Sequence, residues 1–144
     1  GQTCIRLYDT TNGYAGVKNP CDFVYYLYPY YYLFELKSTQ HDRLPFNNIT
    51  ENQWQSMDYF SKQYGVNPCI AVQFRKNKEC YIIPFNAIQR MKQAGEKSIH
   101  INTCREHKDI LEIPCKYKIT HCDIDTTAFK NVLYNIAVTN NKKE

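Results

Sequence analysis

The chain has 144 residues, 43% of them hydrophobic and 22% charged, which is a normal composition for a globular protein with a substantial core. Its formal net charge of +4 permits a polyanionic partner without requiring one. Every apolar run is shorter than the roughly 18 residues that a membrane-spanning helix needs, so the sequence predicts no membrane partner.

The N-terminal part of the chain predicts β-strands. Residues 3–10 form a short β-like run that ends at a Thr-Asn-Gly turn signal. Residues 21–28 and 30–38 predict two strands joined by a turn at Tyr28-Pro29-Tyr30. Both runs lack polar residues on either face until their ends, which is typical of central strands covered on both sides.

The middle of the chain predicts a polar loop over residues 39–49 and a helix over residues 51–64. Thr50 is a good N-cap and Gln53 stands at the third helical position, which together predict a capping box. Apolar residues recur along this helix at helical spacing, and Gly65 ends it. These apolar positions are Trp54, Met57, Phe60 or Ser61, and Tyr64.

The C-terminal half alternates short strands and helices. The predicted elements are a hairpin of residues 69–75 and 79–85, a helix over 85–94 stopped by Gly95, strands at 98–103 and 110–119, and a helix over 126–138. The apolar face of the last helix consists of Phe129, Leu133, Ile136 and Ala137. No repeat or internal linker is visible, so the predicted fold class is α/β, one domain over residues 1–144 with a central mixed β-sheet flanked by helices.

Seven cysteines are spread along the chain without a Cys-x-x-Cys pair, and no signal peptide is visible at the N-terminus. This pattern argues against a secreted disulfide framework and predicts a reducing, cytoplasmic location. Four cysteines within apolar runs are predicted to be buried: Cys4, Cys21, Cys69 and Cys80. A second, loose group lacks the paired spacing of a zinc ribbon, so free cysteines and surface histidines are favoured over structural zinc. Its members are Cys104, His107, Cys115, His121 and Cys122.

Charged residues stand at the ends of the two central apolar runs: Asp22, Glu35 and Lys37. Residues i and i+2 of a strand face the same side, so Glu35 and Lys37 are expected to point into one pocket and Leu36 into the core. The carboxylate of Asp22 can meet Glu35 if it lies near the start of the paired strand. Two carboxylates and a backbone carbonyl are ligands that Mg²⁺ or Mn²⁺ prefers. The alternative for Glu-x-Lys alone is a solvated surface ion pair.

Asp22, followed thirteen residues later by Glu35-Leu36-Lys37, resembles the PD-(D/E)xK nuclease signature. More narrowly, the chain resembles the RecU-type Holliday junction resolvases over about residues 15–118. The other segments that carry this likeness are Asp22-Phe23, Leu44-Pro45-Phe46, Gln53 with Met57, Gly95-Glu96-Lys97-Ser98-Ile99 and Ile113-Pro114-Cys115-Lys116-Tyr117.

The resemblance implies a restriction-endonuclease-like core and a Mg²⁺-dependent (or Mn²⁺-dependent) endodeoxyribonuclease, selective for branched DNA and active as a homodimer. In this interpretation Asp22, Glu35 and the backbone carbonyl of Leu36 bind the metal. Lys37 positions the attacking water. Gln53 supports it in the active site, or else only caps its helix. A bacterial cell, or one infected by a phage, is the implied source.

Basic residues in several segments could contact DNA phosphates, although scattered lysines are more often a solvated surface. The expected contacts are Lys18, Arg43 and Lys97, the last two because they lie in segments shared with the family. His41, in the loop after Lys37, could assist near the metal but is more often a bystander at such a position.

Three departures from the family pattern keep alternatives open. The family usually has Thr two residues before its Asp, where this chain has Pro20. Residues 1–19 also show no counterpart of the N-terminal helix and stalk with which the family enters a junction. The alternatives are a catalytically inactive nucleic-acid-binding or interaction module on the same fold, and a nuclease for nicked, flapped or single-stranded DNA.

Overall fold

A computed structural model of the chain describes residues 2–7, 19–118 and 122–141. The strands are β1 Gln2–Arg6, β2 Phe23–Leu27, β3 Tyr30–Thr39, β4 Arg43–Pro45, β5 Val66–Phe74, β6 Glu79–Pro84, β7 Ser98–His100, β8 Leu111–Glu112, β9 Cys115–Tyr117 and β10 Cys122–Ile124. The helices are α1 Glu51–Ser61, α2 Phe85–Gln93, α3 Ile101–Glu106 and α4 Thr126–Asn141, and a 3-10 turn spans Phe46–Asn48.

Six strands form one mixed sheet in the order β1-β2-β3-β5-β6-β8. Strands β3 and β5 run parallel, whereas the other neighbours are antiparallel. Parallel neighbours cannot be joined by a tight hairpin, and α1 lies in the crossover between β3 and β5. Two smaller antiparallel pairs join β4 to β7 and β9 to β10.

A hydrophobic cluster covers each face of this sheet. On one face Ile70 and Val72 of β5 pack in a cluster with Trp54 of α1. On the other face Tyr32 of β3 belongs to a cluster with Leu133 of α4. The Tyr32 hydroxyl also donates to the Leu133 carbonyl at 2.6 Å. Helices therefore flank a central mixed sheet, which confirms the predicted α/β class.

Several local predictions for the strands are confirmed. Strands β2 and β3 lie where two were predicted, and β5 and β6 form the predicted hairpin. The buried state of Cys21, Cys69 and Cys80 is also confirmed. The prediction for Cys4 is wrong, because β1 is an edge strand whose residues are all exposed. The turn predicted near residues 11–13 lies outside the described residues.

Leu36 does not point into the core. Its side chain is 47% exposed, so that prediction is wrong. The reason lies in the paired strand, because β2 begins only at Phe23, opposite Phe34, and does not reach Leu36. Leu36 instead borders an apolar cavity of ≈ 500 Å³ that residues of β1, β2 and α4 also line. The predicted cover on both faces thus holds for the middle of β3 and fails at Tyr31, Leu36 and Ser38, which are exposed.

The polar loop predicted over residues 39–49 is partly ordered into β4 and the 3-10 turn. Leu44, Phe46 and Ile49 are buried in the same cluster as Trp54, so this segment packs on the sheet rather than running over the surface. In this polar segment an apolar residue recurs at every second or third position, and these apolar residues are the ones that pack in the core. The loop prediction is therefore wrong for this part.

Helix α1 begins with the predicted capping box. Thr50 Oγ1 accepts the Gln53 N–H at 3.3 Å, and Gln53 Oε1 accepts the Thr50 N–H at 2.9 Å. The helix ends at Ser61 rather than at residue 64, and Tyr64 is 84% exposed instead of lying on the apolar face. Gly65, at φ 75°, allows the tight turn that leads into β5.

The region predicted as one strand over residues 98–103 is β7 followed at once by α3. Ile101 and Cys104 are buried at helical spacing, and His100 Nδ1 accepts the Asn102 N–H at 3.0 Å at the start of α3. The strand predicted over residues 110–119 is likewise split into β8 and β9, with Pro114 between them. Both single-strand predictions are wrong in this respect.

Helix α4 is confirmed and extends to Asn141. Asp125 Oδ1 accepts the N–H groups of Thr127 and Ala128, which caps its first turn. Leu133, Ile136 and Ala137 are buried on one face. Across the described ranges, no helix combines the length and apolar character needed to cross a membrane.

Candidate active site

Asp22 lies immediately before β2, held against β3 by backbone contacts. Its N–H donates to the Phe34 carbonyl at 2.9 Å, and its own carbonyl accepts the Leu7 N–H at 2.9 Å. The side chain is fixed as well, because Asp22 Oδ2 accepts the Leu36 N–H at 2.8 Å. This bond brings the Asp22 carboxylate to the peptide that joins Glu35 to Leu36.

Glu35 and Lys37 lie together on one face of β3, as their spacing predicts. Lys37 Nζ is 3.2 Å from Glu35 Oε1, and the two side chains are only 15% and 8% exposed. A buried ion pair loses hydration on folding and is tolerated only when further hydrogen bonds complete it. The solvated surface pair considered from the sequence does not describe this arrangement.

Gln53 of α1 supplies those further hydrogen bonds. Its Nε2 donates to Glu35 Oε1, and its Oε1 accepts from Lys37 Nζ at 3.1 Å. The same oxygen accepts the Thr50 N–H of the capping box. The Gln53 side chain therefore both caps α1 and contacts the Glu35–Lys37 pair, two roles that the sequence left as alternatives.

The electrostatic environment of Glu35 disfavours its ionised form. Burial raises the pKa of Glu35, and the nearby Asp22 carboxylate raises it further, whereas Lys37 and Gln53 act in the opposite direction. Cys21 lies beside the same carboxylates and is 5% exposed. Burial, then Glu35, then Asp22 raise the pKa of the Cys21 thiol to about 12, so it stays protonated at neutral pH. The pocket thus concentrates negative charge.

The two described residues that were predicted to contact DNA, Arg43 and Lys97, lie on another part of the surface. Arg43 is exposed on β4, and its Nη1 donates to Ser98 Oγ of the neighbouring strand β7 at 3.2 Å. Lys97 is exposed just before β7, and its carbonyl accepts the Phe46 N–H at 2.9 Å. Their Cα atoms are therefore separated by roughly 10 Å along one ribbon, from the rise per strand residue, and the Arg43 side chain reaches toward Lys97 at its contact with Ser98. Lys18 lies outside the described residues.

The remaining candidates that the structure describes do not form a metal-binding group. The His41 side chain is exposed in the loop before β4. Cys104 is buried, and burial raises the pKa of its thiol to about 12, while His107 Nδ1 accepts the Asp109 N–H. His121 and the Cys122 side chain fall outside the described part. The described residues contain no group of three or more His, Cys, Asp or Glu side chains that could hold a metal ion.

Two residues at this pocket were not identified from the sequence as members of a site, although one of them, Cys21, was predicted to be buried. The Cys21 thiol donates to the Phe23 carbonyl at 3.3 Å beneath the carboxylates, and Ser56 Oγ donates to the Pro20 carbonyl at 3.0 Å. Ser56 follows Gln53 by three positions, so both stand on the same side of α1. That spacing is the one sequence signal that could have drawn attention to Ser56.

Comparison with known families places this geometry in context. The family described as RecU, Recombination protein U, matches residues 4–125. The chain belongs to the RecU family. The matched residues include Asp22, Glu35, Lys37 and Gln53, and they extend beyond both ends of the segment over which the resemblance was noted. The predicted resemblance to RecU-type resolvases is thereby confirmed.

Membership of the RecU family, a Holliday junction resolvase family, makes this chain a resolvase-like nuclease. No curated protein matches the sequence. Among solved structures, the chain is similar to Hjc, a Holliday junction resolvase from the archaeal hyperthermophile Archaeoglobus fulgidus. The identity is 21%, the match covers 71% of this chain and 77% of that one, and the TM-score is 0.49.

Proposed function

We propose that this RecU-family nuclease is a Mg²⁺-dependent (or Mn²⁺-dependent) endonuclease that cuts branched DNA, with four-way junctions favoured, and that its active site is Asp22, Glu35, Lys37 and Gln53. The observation that carries the proposal is the joint position of the last three side chains. Glu35 Oε1 receives hydrogen bonds from both Lys37 and Gln53, beside the backbone amide that holds Asp22. Such a costly buried arrangement is typical of a functional site.

The donor set fits a hard divalent cation. Within residues 19–118, Glu35 Oε2 and Asp22 Oδ1 accept no hydrogen bond, so each carboxylate keeps one oxygen for a ligand. The N–H and carbonyl of one strand residue point the same way, and the Leu36 N–H points to Asp22, so the Leu36 carbonyl faces that side too. Three oxygens of this kind suit Mg²⁺ or Mn²⁺, with solvent and phosphate completing the shell.

A bound divalent cation supplies compensation for the negative charge that builds up on the scissile phosphate. The chain's own residues then have distinct roles. Lys37, largely buried and donating to both Glu35 and Gln53, holds the attacking water through its remaining N–H donor. Gln53 fixes the directions of Lys37 and Glu35 because its amide contacts both and its oxygen is tied to the Thr50 N–H.

Recognition of DNA is assigned to basic residues outside the pocket. Arg43 and Lys97 on the β4–β7 ribbon are exposed and contact phosphates in this proposal, and Lys18 adds a third contact. Symmetric resolution of a junction needs two cuts, so two copies of the chain act together as a homodimer. The enzyme would act on DNA in the cytoplasm.

A cleavage assay tests the proposal. Labelled four-way junction, linear duplex and flap DNA are incubated with wild type in Mg²⁺, in Mn²⁺ and in EDTA, beside Glu35→Ala and Lys37→Ala. Symmetric cuts in the junction, dependent on the cation and lost in both variants, are expected. Absence of cation-dependent cutting on every substrate would leave an inactive binding module, and preferential cutting of flap or duplex would replace the junction as the substrate.

A further inference from the structure

The segment that carries Asp22 is attached to α1 by a hydrogen bond. Ser56 Oγ donates to the Pro20 carbonyl at 3.0 Å. Proline has no N–H, so this carbonyl is the only hydrogen-bonding group that Pro20 offers through its backbone. It lies two residues before the Asp22 carboxylate, in a stretch that precedes β2 and is outside the sheet ladder.

The same helix contacts the other carboxylate one turn earlier. Gln53 donates to Glu35. Ser56, three positions later in α1, donates to the carbonyl of Pro20 in the segment that leads into Asp22. Trp54 and Met57 fix α1 in the core, because they are 8% and 3% exposed and belong to its hydrophobic cluster. One well-packed helix thus contacts the Glu35 carboxylate directly and the backbone two residues before Asp22.

We propose that Ser56 is a positioning residue, which sets the location of Asp22 relative to Glu35 and so the cation affinity of the pair. This inference rests on the proposed function of Asp22 and Glu35 as cation ligands. Two hydrogen bonds hold Asp22 against β3. Its N–H donates to the Phe34 carbonyl, and its carboxylate accepts the Leu36 N–H. The hydrogen bond from Ser56 restrains the backbone that precedes Asp22 on the side of α1.

Loss of the Ser56 hydroxyl leaves the Pro20 carbonyl to water and lets the residues before Asp22 shift. A pair of carboxylates binds a cation well only at a narrow range of separations, since ligand distances to Mg²⁺ or Mn²⁺ vary little. Groups that orient metal ligands typically contribute a factor of about 10 to 100 in affinity or activity. A tether that acts through the backbone is expected at the low end, about tenfold.

The test uses a pair of variants that differ in one hydroxyl. Ser56→Thr keeps the donor and Ser56→Val replaces it with a methyl group of the same shape, so any steric cost is shared. Binding of Mn²⁺ to the DNA-free protein is measured by electron paramagnetic resonance, together with thermal unfolding in EDTA. Ser61→Ala is the matched control, because Ser61 Oγ donates to the Asp58 carbonyl at 2.8 Å on the same helix but away from the pocket.

The expected result is Mn²⁺ binding about tenfold weaker in Ser56→Val than in Ser56→Thr, with Ser61→Ala equal to wild type. Equal Mn²⁺ affinity in the Thr and Val variants would overturn the inference, even if both unfold at a lower temperature. Failure of the proposed function gives a different result. In that case wild type binds no Mn²⁺, or Glu35→Ala binds Mn²⁺ as tightly as wild type does.

Discussion

The side-chain oxygen of Gln53 lies 3.1 Å from the ammonium nitrogen of Lys37. Because the same oxygen also accepts the Thr50 N–H, the amide is held with its nitrogen toward Glu35. An asparagine or glutamine amide can otherwise turn over and exchange its donor for its acceptor. The start of α1 therefore selects one orientation, the one that serves both charges of the pocket.

Replacement of Gln53 by Met should slow cleavage of a four-way junction by about tenfold to a hundredfold, the range found for groups that orient metal ligands. Methionine fills similar space but offers no strong donor to Glu35 and no strong acceptor for Lys37. Single-turnover cleavage measures the effect. Gln55→Met, on an exposed position of the same helix whose amide only reaches Glu51, should cleave as wild type does. Equal rates for the two variants would contradict the role given to Gln53.

Glu35→Gln should raise the free energy of unfolding at pH 7 in EDTA while abolishing cleavage. The pKa of Glu35 is raised above its ordinary value of 4.5, chiefly by burial and then by Asp22. The folded state then binds this proton more tightly than the unfolded state, so stability falls as pH rises through the unfolded and then the folded pKa. Gln cannot ionise and escapes this loss. Its advantage over wild type should disappear as pH falls toward 4.

Glu79→Gln provides the comparison with opposite sign. Hydrogen bonds from Arg105 and then from Tyr81 lower the pKa of Glu79, despite some desolvation. The stability from this carboxylate is present above its unfolded pKa and is lost as pH falls through the folded pKa. Glu79→Gln should therefore be less stable than wild type at pH 7 and equal to it in strong acid. Urea unfolding at several pH values measures both variants, and parallel curves would refute the assignment.

Arg43→Ala and Lys97→Ala should each weaken junction binding and reduce the slope of log affinity against log salt by roughly one. Both side chains are exposed on the β4–β7 ribbon, so their loss should leave Mn²⁺ binding and folding unchanged. Fluorescence anisotropy with labelled DNA, in Ca²⁺ to suppress cleavage, gives the slope. Lys62→Ala is the control, since Lys62 directly follows the C-terminal end of α1 and is paired with Asp58 of that helix. An unchanged slope in the ribbon variants would remove them from the interface.

Tyr32→Phe should lower the free energy of unfolding by about 1 kcal/mol, because a fully buried hydroxyl loses its bond to the Leu133 carbonyl. This bond ties β3 to α4, so the effect also tests whether α4 belongs to one cooperative domain with the sheet. Urea unfolding followed by fluorescence and by circular dichroism gives the change. Tyr59→Phe, at a 62% exposed tyrosine, should be neutral. Separate transitions for the two probes would show that α4 unfolds on its own.

Local sequence pattern determined much of this site. The two-residue period of a strand puts Glu35 and Lys37 on one face, and the capping box puts Gln53 at the start of α1, because both depend only on neighbouring residues in the chain. The family assignment likewise follows from residues 4–125 read as a sequence.

Tertiary structure decided what those patterns could not. Exposure of Leu36 depends on where β2 begins, and the exposure of Tyr64 depends on the helix ending at Ser61. The contacts from Gln53 to Glu35 and from Ser56 to Pro20 depend on the crossover that packs α1 against the sheet at β5. Burial and contact between distant segments are set by which elements cover a face, and that is a property of packing rather than of any one stretch of residues.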